Sequence, residues 1–371
     1  MMKRWMSMLL FAVLLTACSS DDEDSNNNVA DDNFDRKAML ENWADNIIVP
    51  AQEDLNSKLA TLVEEKDNFV ASPNEANLEN LRSAWFDAYK VWQHVEMFNI
   101  GKAEEMQYLF QMNVYPTNVE DIENNIQDEN FDIEFVNNQD AVGFPAVEYM
   151  IYGVGDSKAD IVSYYNNNAS SDLEYLSGLV DQMKSLTQSI VDDWNNGYRD
   201  TFVSNTENSA TGSINKLTND YIFYYEKILR ANKIGIPAGN FSNQPFPDKV
   251  EAYYHGGGSK VLALESLEAV VNFFEGKAYD SSNNGKGLAD YLDKLDVNIE
   301  QQKLSKTILD QYSDAEAAIQ QLDDDFSAQV ENDNSKMFNV YDELQLAVVL
   351  LKVDMLQSLD ISVDFVDADG D

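Results

Sequence analysis

Apolar residues recur at helical spacing along most of this chain, and few runs alternate as a half-buried strand would. Leu40, Trp43, Ile47, Leu55, Leu59, Leu62 and Phe69 mark one long stripe, which Pro50 is expected to kink and Ser72, Pro73 and Asn74 to end. A second stripe, Leu78, Leu81, Trp85, Tyr89 and Trp92, runs on toward Gly101. Positions 113–139 hold Pro116 and many Asn and Asp residues, so they read as an irregular excursion with at most short helices. Helices are expected to resume at Pro145, over 173–194 and over 214–231, with a polar loop over 197–212. Tyr221, Phe223, Tyr224 and Tyr225 read most simply as core.

Gly235, Pro237, Gly239, Pro245 and Pro247 then crowd together, which marks a linker. Beyond it, Val261, Leu264, Leu267, Val271 and Phe274 predict a helix stopped by Gly276, followed by helices over 288–295, 301–312, 314–330 and 336–359. The pattern predicts an all-α fold of two four-helix-bundle-like domains, residues 34–239 and 240–371.

The first seventeen residues are set apart. Lys3 and Arg4 precede a short apolar run ending in Leu15-Thr16-Ala17-Cys18, which resembles the bacterial lipobox. Cys18 is the expected lipidation site, and acyl chains on it would anchor the mature chain to a membrane. As the only cysteine, it rules out a disulfide within one molecule. Residues 18–33, rich in Ser, Asp and Asn, read as a disordered acidic tether. That acidic run resembles the surface-export signal of Bacteroidota lipoproteins; a plain spacer facing the periplasm is the alternative, so the expected location is the outer membrane, on either side. A formal charge of -41 excludes nucleic acid as a natural partner, because phosphate binding needs clustered Lys and Arg. Residues 367–371, D-A-D-G-D, mimic the start of a calcium loop but lack its bidentate Glu.

Residues 143–153 read G-F-P-A-V-E-Y-M-I-Y-G. They resemble the G-x-H-x-x-E motif of the imelysin-like family, which includes iron-regulated lipoproteins, with Gly143 and Glu148 kept and Pro145 in the histidine position. Ala88, Trp92, Glu96, Phe98 and Gly101 resemble that family's second helix, and Lys233-Ile234-Gly235-Ile236-Pro237-Ala238-Gly239 its junction between bundles. The resemblance implies two bundles packed around a cleft near the central motif. It also implies a link to iron uptake and a peptidase label.

The residues expected at the cleft are Glu96, Gly143, Pro145, Glu148 and Ser259. A histidine and a glutamate three apart on a helix share a face and can grip one metal ion; with Pro145 in place, only Glu96 and Glu148 remain as oxygen donors for iron or another divalent metal. Each has a structural alternative. Glu96 lies on the stripe of Tyr89 and Trp92, where an acid needs a partner such as an indole N–H or a phenol. Glu148, in the first turn if Pro145 opens its helix, can orient backbone amides. His94 is two residues from Glu96, so the pair diverges by roughly 200° on a helix. His255 precedes three glycines and reads as an exposed loop residue; Ser259 is a plausible N-cap. No H-E-x-x-H motif or G-x-S-x-G elbow is present. The sequence therefore favours a non-enzymatic binding lipoprotein for iron or another small ligand, able to work with an outer-membrane transporter. A metal-dependent peptidase and a metal-free adhesion or glycan-handling component are the alternatives.

Overall fold

Pro50 shapes the first long helix through a bond it cannot make. It has no backbone N–H, so the Asn46 carbonyl one turn upstream loses its helical partner. That carbonyl accepts the N–H of Tyr279, far along the chain, at 2.8 Å. The turn before the proline widens: Trp43–Ile48 is π-helical and links Arg36–Asn42 to Val49–Ala71 without a break. The expected kink is thus a widened turn that also ties the first helix to the 276–286 segment. Asn42 strengthens the tie, its amide donating to the carbonyls of Gly276 at 2.9 Å and Lys286 at 3.0 Å.

The structure is a computed structural model that describes residues 33–364 apart from 129–131, 134–135, 169 and 243. The expected signal segment 1–17, Cys18, nearly all of the 18–33 tether and the calcium-like 367–371 lie outside the described residues. The fold is all-α; among the described residues the only sheet is a two-residue hairpin, Asn298–Ile299 with Gln302–Lys303.

Val49–Ala71 packs against Glu75–Trp92 and Ser170–Asp193, and Gly143–Glu148 closes this group. Asn74 starts the second of these helices, its side-chain oxygen accepting the N–H groups of Ala76 and Asn77. That helix stops at Trp92, short of Gly101, and residues 93–97 form successive turns.

The second group comprises Ser213–Phe223 with its π-helical continuation Tyr224–Gly235, then Ser259–Glu275, Leu304–Gln320 and Ser335–Val349. The 213–235 helix thus packs with helices from beyond residue 240. The 213–235 helix carries Tyr221, Tyr224 and Tyr225 fully buried. The Tyr225 hydroxyl donates to the Leu344 carbonyl at 3.0 Å, and Tyr221 bonds to Tyr312. The helix therefore belongs with its successors, and the breakers at 235–247 end a helix inside the second bundle. From Phe34 onward the chain packs as one compact unit.

Two other helices differ from expectation. Arg199–Ser204 is helical within the supposed polar loop, held by a two-pronged contact of Arg199 with Asp45. Leu304–Gln320 runs straight through Ser313 because Tyr312, Ala315 and Ile319 share one buried face; the break comes later, where Asp325 caps Phe326–Asp333. No described helix is long and apolar enough to cross a membrane.

The motif segment is set into the first bundle by its second residue. Phe144 stacks on Tyr89 at 4.5 Å between ring centroids, and its carbonyl accepts the Trp85 indole N–H at 3.1 Å. Gly143 makes the entry, with φ +74 and a position where a Cβ would lie 2.2 Å from the Met112 carbonyl oxygen. Gly143→Ala is therefore expected to destabilise the fold by about 2 kcal/mol or more. Gly257→Ala, with nothing within 4 Å, should lie near zero. Chemical denaturation of both variants checks this contrast.

Candidate functional site

Lys233 ends the 213–235 helix with its ammonium only 1% exposed. A buried cation needs an anion and further acceptors. Lys233 has an ion pair with Glu251 and a hydrogen bond to the Gln93 side-chain oxygen at 2.7 Å. Ser266 donates to the same Gln93 oxygen at 2.7 Å, and Tyr224 donates to the Gln93 carbonyl at 2.7 Å. The Asn113 amide bridges Glu251 and Glu96, at 3.0 Å to each, while its own oxygen accepts the Tyr89 hydroxyl at 2.6 Å. One buried network thus joins the end of the second helix, the irregular excursion and the second bundle.

Glu96 is buried here, accepting the Asn113 amide at 3.0 Å, and the Trp92 indole N–H of its own stripe also favours its charged form. Its second oxygen and the Trp92 indole N–H face each other without reaching full hydrogen-bond geometry. Burial pushes its carboxyl up to about 7: Lys233 favours the charged form, and the neighbouring Glu251 opposes it.

Glu148 is the sixth residue of a helix that opens at Gly143 and continues as a π-helical turn to Gly153, and Pro145 is its third residue rather than its first. The carboxylate therefore does not serve its own helix start. It accepts the His255 backbone N–H at 2.8 Å, and that of Tyr254, from the turn after Glu251. The expectation that Glu148 orients amides holds, but the amides belong to a segment a hundred residues away. Burial lifts this carboxyl to about 8 against the two backbone donors.

Ser259 is the first residue of its helix, with Gly258 at the cap position; its hydroxyl donates to the Glu251 carbonyl at 2.6 Å instead of capping. His255 is half-buried rather than exposed, its ring stacked 4.6 Å from Phe86 and edge-on to Tyr152. His94 turns away from Glu96, as expected, and pairs with Glu265 at 2.8 Å.

Glu148 and Pro145 border a pocket of about 250 Å³, closed by the 115–117 loop, with its cis Tyr115–Pro116 peptide, and by the 248–254 turn. The structure thus brings Pro145 and Glu148 to the pocket. Gly143 lies behind it against Met112, while Glu96 and Ser259 act through Glu251. Glu251, Lys233 and Asn113 form the centre of the network, and no sequence motif marks them as site residues. Among the described residues no three His, Cys, Asp or Glu side chains are grouped to hold a metal ion. Glu96 and Glu148 are engaged separately, by Asn113 and by backbone N–H groups, and Pro145 offers no donor. The residues present do not fit a resident iron or other metal centre.

The family model described as Imelysin, of peptidase group M75, matches residues 48–353. The chain belongs to the imelysin family. None of the curated proteins matches it. Among solved structures, an imelysin-like protein from Psychrobacter arcticum 273-4 aligns with a TM-score of 0.69 at 19% identity, covering 89% of this chain and 97% of that one. A candidate iron-regulated protein A precursor from Parabacteroides distasonis ATCC 8503 aligns at 0.68 and 17% identity, covering 85% and 94%. At these identities the likeness concerns the fold.

The buried charges of this imelysin-family site can be tested one by one. Lys233→Met leaves Glu251 buried without its cation and is expected to cost about 3–5 kcal/mol, with much of the loss recovered in the Lys233→Met/Glu251→Met double variant; denaturant unfolding of the three chains measures both. Glu148 and Glu96 both sit above the ordinary carboxyl value of 4.5, so the folded chain holds protons that the unfolded chain releases. Their contribution is fully present below pH 4.5 and declines as pH rises toward 8. Glu148→Gln should flatten that decline by a few kcal/mol, since each pH unit between the folded and unfolded values is worth about 1.4 kcal/mol. Unfolding titrations from pH 5 to 9 read the difference.

Proposed function

We propose that this member of the imelysin family is a non-enzymatic binding lipoprotein of the cell envelope, held at the outer membrane through acylated Cys18, that takes a small ligand into the pocket at Glu148. The observation that carries this reading is the state of the acids around the pocket. Glu96, Glu148 and Glu251 each already hold fixed protein donors, which suits a rigid wall better than a group that must exchange protons or ligate a catalytic ion. The Thr117 hydroxyl at the pocket edge is likewise committed, to the Asp140 carbonyl at 2.8 Å.

A role in uptake of iron or another nutrient, alongside an outer-membrane transporter, draws support from the relative named as an iron-regulated protein A precursor. Iron would then be carried as part of a ligand rather than in a protein metal site. The family's peptidase label supports the competing reading, with Glu148 as the acid at the centre of chemistry. The full chain in a neutral detergent should retain no stoichiometric iron or zinc after dialysis against micromolar metal, and should cleave no peptide substrate. Hydrolysis that disappears in Glu148→Ala would establish the peptidase instead.

A further inference from the structure

The pocket at Glu148 is chemically one-sided. It is lined by the Asp248 carboxylate, by Glu148, whose buried carboxyl is held largely protonated at neutral pH, and by three phenols, Tyr115, Tyr253 and Tyr254; the rest of the lining is Pro116, Thr117, Pro145 and Val250, with no Lys, Arg or His. This is more than the general acidity of the chain. A second pocket, of about 300 Å³ beside His94, sets Lys58 and Lys90 among Asp54, Asp87 and Glu265, with Lys90 paired to Asp87 and His94 to Glu265. At Glu148 no such pairing exists within the lining.

The Asp248 carboxylate and the tyrosine rings attract a cation in two ways, by direct charge and by the negative ring faces. The lining also bears on which kind of cation. Its acids are not grouped as a metal cage, and prolines, valine and phenols suit a ligand with an apolar body. Tyr253 is 41% exposed at the rim and edge-on to Tyr254 at 5.1 Å.

We infer that the pocket selects a small organic cation, an ammonium carrying alkyl groups, over neutral and anionic molecules of the same shape. This rests on the reading of the pocket as the ligand site and adds the chemical class it takes.

Calorimetric titration of the full chain in a neutral detergent tests it with three probes: choline, the neutral isostere in which carbon replaces the nitrogen, and the matching carboxylate. Choline is expected to bind about ten-fold more tightly than the neutral isostere, with the carboxylate weakest. Asp248→Asn should bring choline down toward the isostere, and Tyr253→Leu should weaken choline more than the isostere. A neutral isostere that binds as tightly as choline, or a preference that survives Asp248→Asn, overturns the inference. If binding is then still abolished by the pocket-filling Val250→Trp, the pocket remains a ligand site and only its charge preference is wrong. If none of the three probes binds the wild-type chain, the inference falls and the ligand-site reading falls with it.

Discussion

The buried ion pair of Lys233 and Glu251 is the contact on which the arrangement of the site depends. It joins the end of one helix of the second bundle to the turn that closes the pocket. Through Gln93 and Asn113 it reaches the first bundle. A desolvated pair of this kind is a weak source of net stability, but removing one partner is costly. Its value is positional: the 248–256 segment has little regular structure of its own and is held by side chains from elsewhere. The single lysine also faces more than one acid. Glu96, sharing Asn113 with Glu251, is the carboxylate that burial pushes toward neutrality.

The motif segment works on the same turn from the other side. Glu148 accepts N–H groups from Tyr254 and His255, and Ser259 fixes the Glu251 carbonyl, so three contacts pin a short stretch that forms one wall of the pocket. Pro145 and Glu148 line the pocket beside it. In this chain the imelysin motif thus acts as a brace between bundles and a pocket surface. The departure from histidine at position 145 is compatible with that role, because nothing in the brace needs an imidazole.

Much of the fold is legible in the sequence because the apolar stripes have the right period and the breaks are sharp. Trp85, Tyr89, Trp92 and Tyr221 lie at core positions of those stripes and are buried. Which helices pack together is not legible in the same way, because a dense run of Gly and Pro marks the end of a helix without saying which neighbours that helix packs against. Of the site, Glu96, Glu148 and Ser259 stand out in the sequence, but their partners do not. Asn113 sits in an irregular stretch, Glu251 follows a loop, and Lys233, although inside the family's K-I-G-I-P-A-G junction, has the look of a surface lysine. Their meaning lies in contacts spanning 17 to 140 residues along the chain, which periodicity cannot report. His255 reads as exposed because three glycines follow it; the stacking surface offered by Phe86 has no local signal.

If Glu251, paired with Lys233, holds the pocket-closing turn in register for Glu148, removing its charge should loosen that turn before anything else. Amide hydrogen exchange over residues 250–256, compared between wild type and Glu251→Gln, measures this directly. The expected result is exchange about ten-fold faster or more at His255 and its neighbours in the variant, with the Val49–Ala71 helix unchanged. Unaltered protection of the His255 amide in Glu251→Gln would contradict this role for the ion pair.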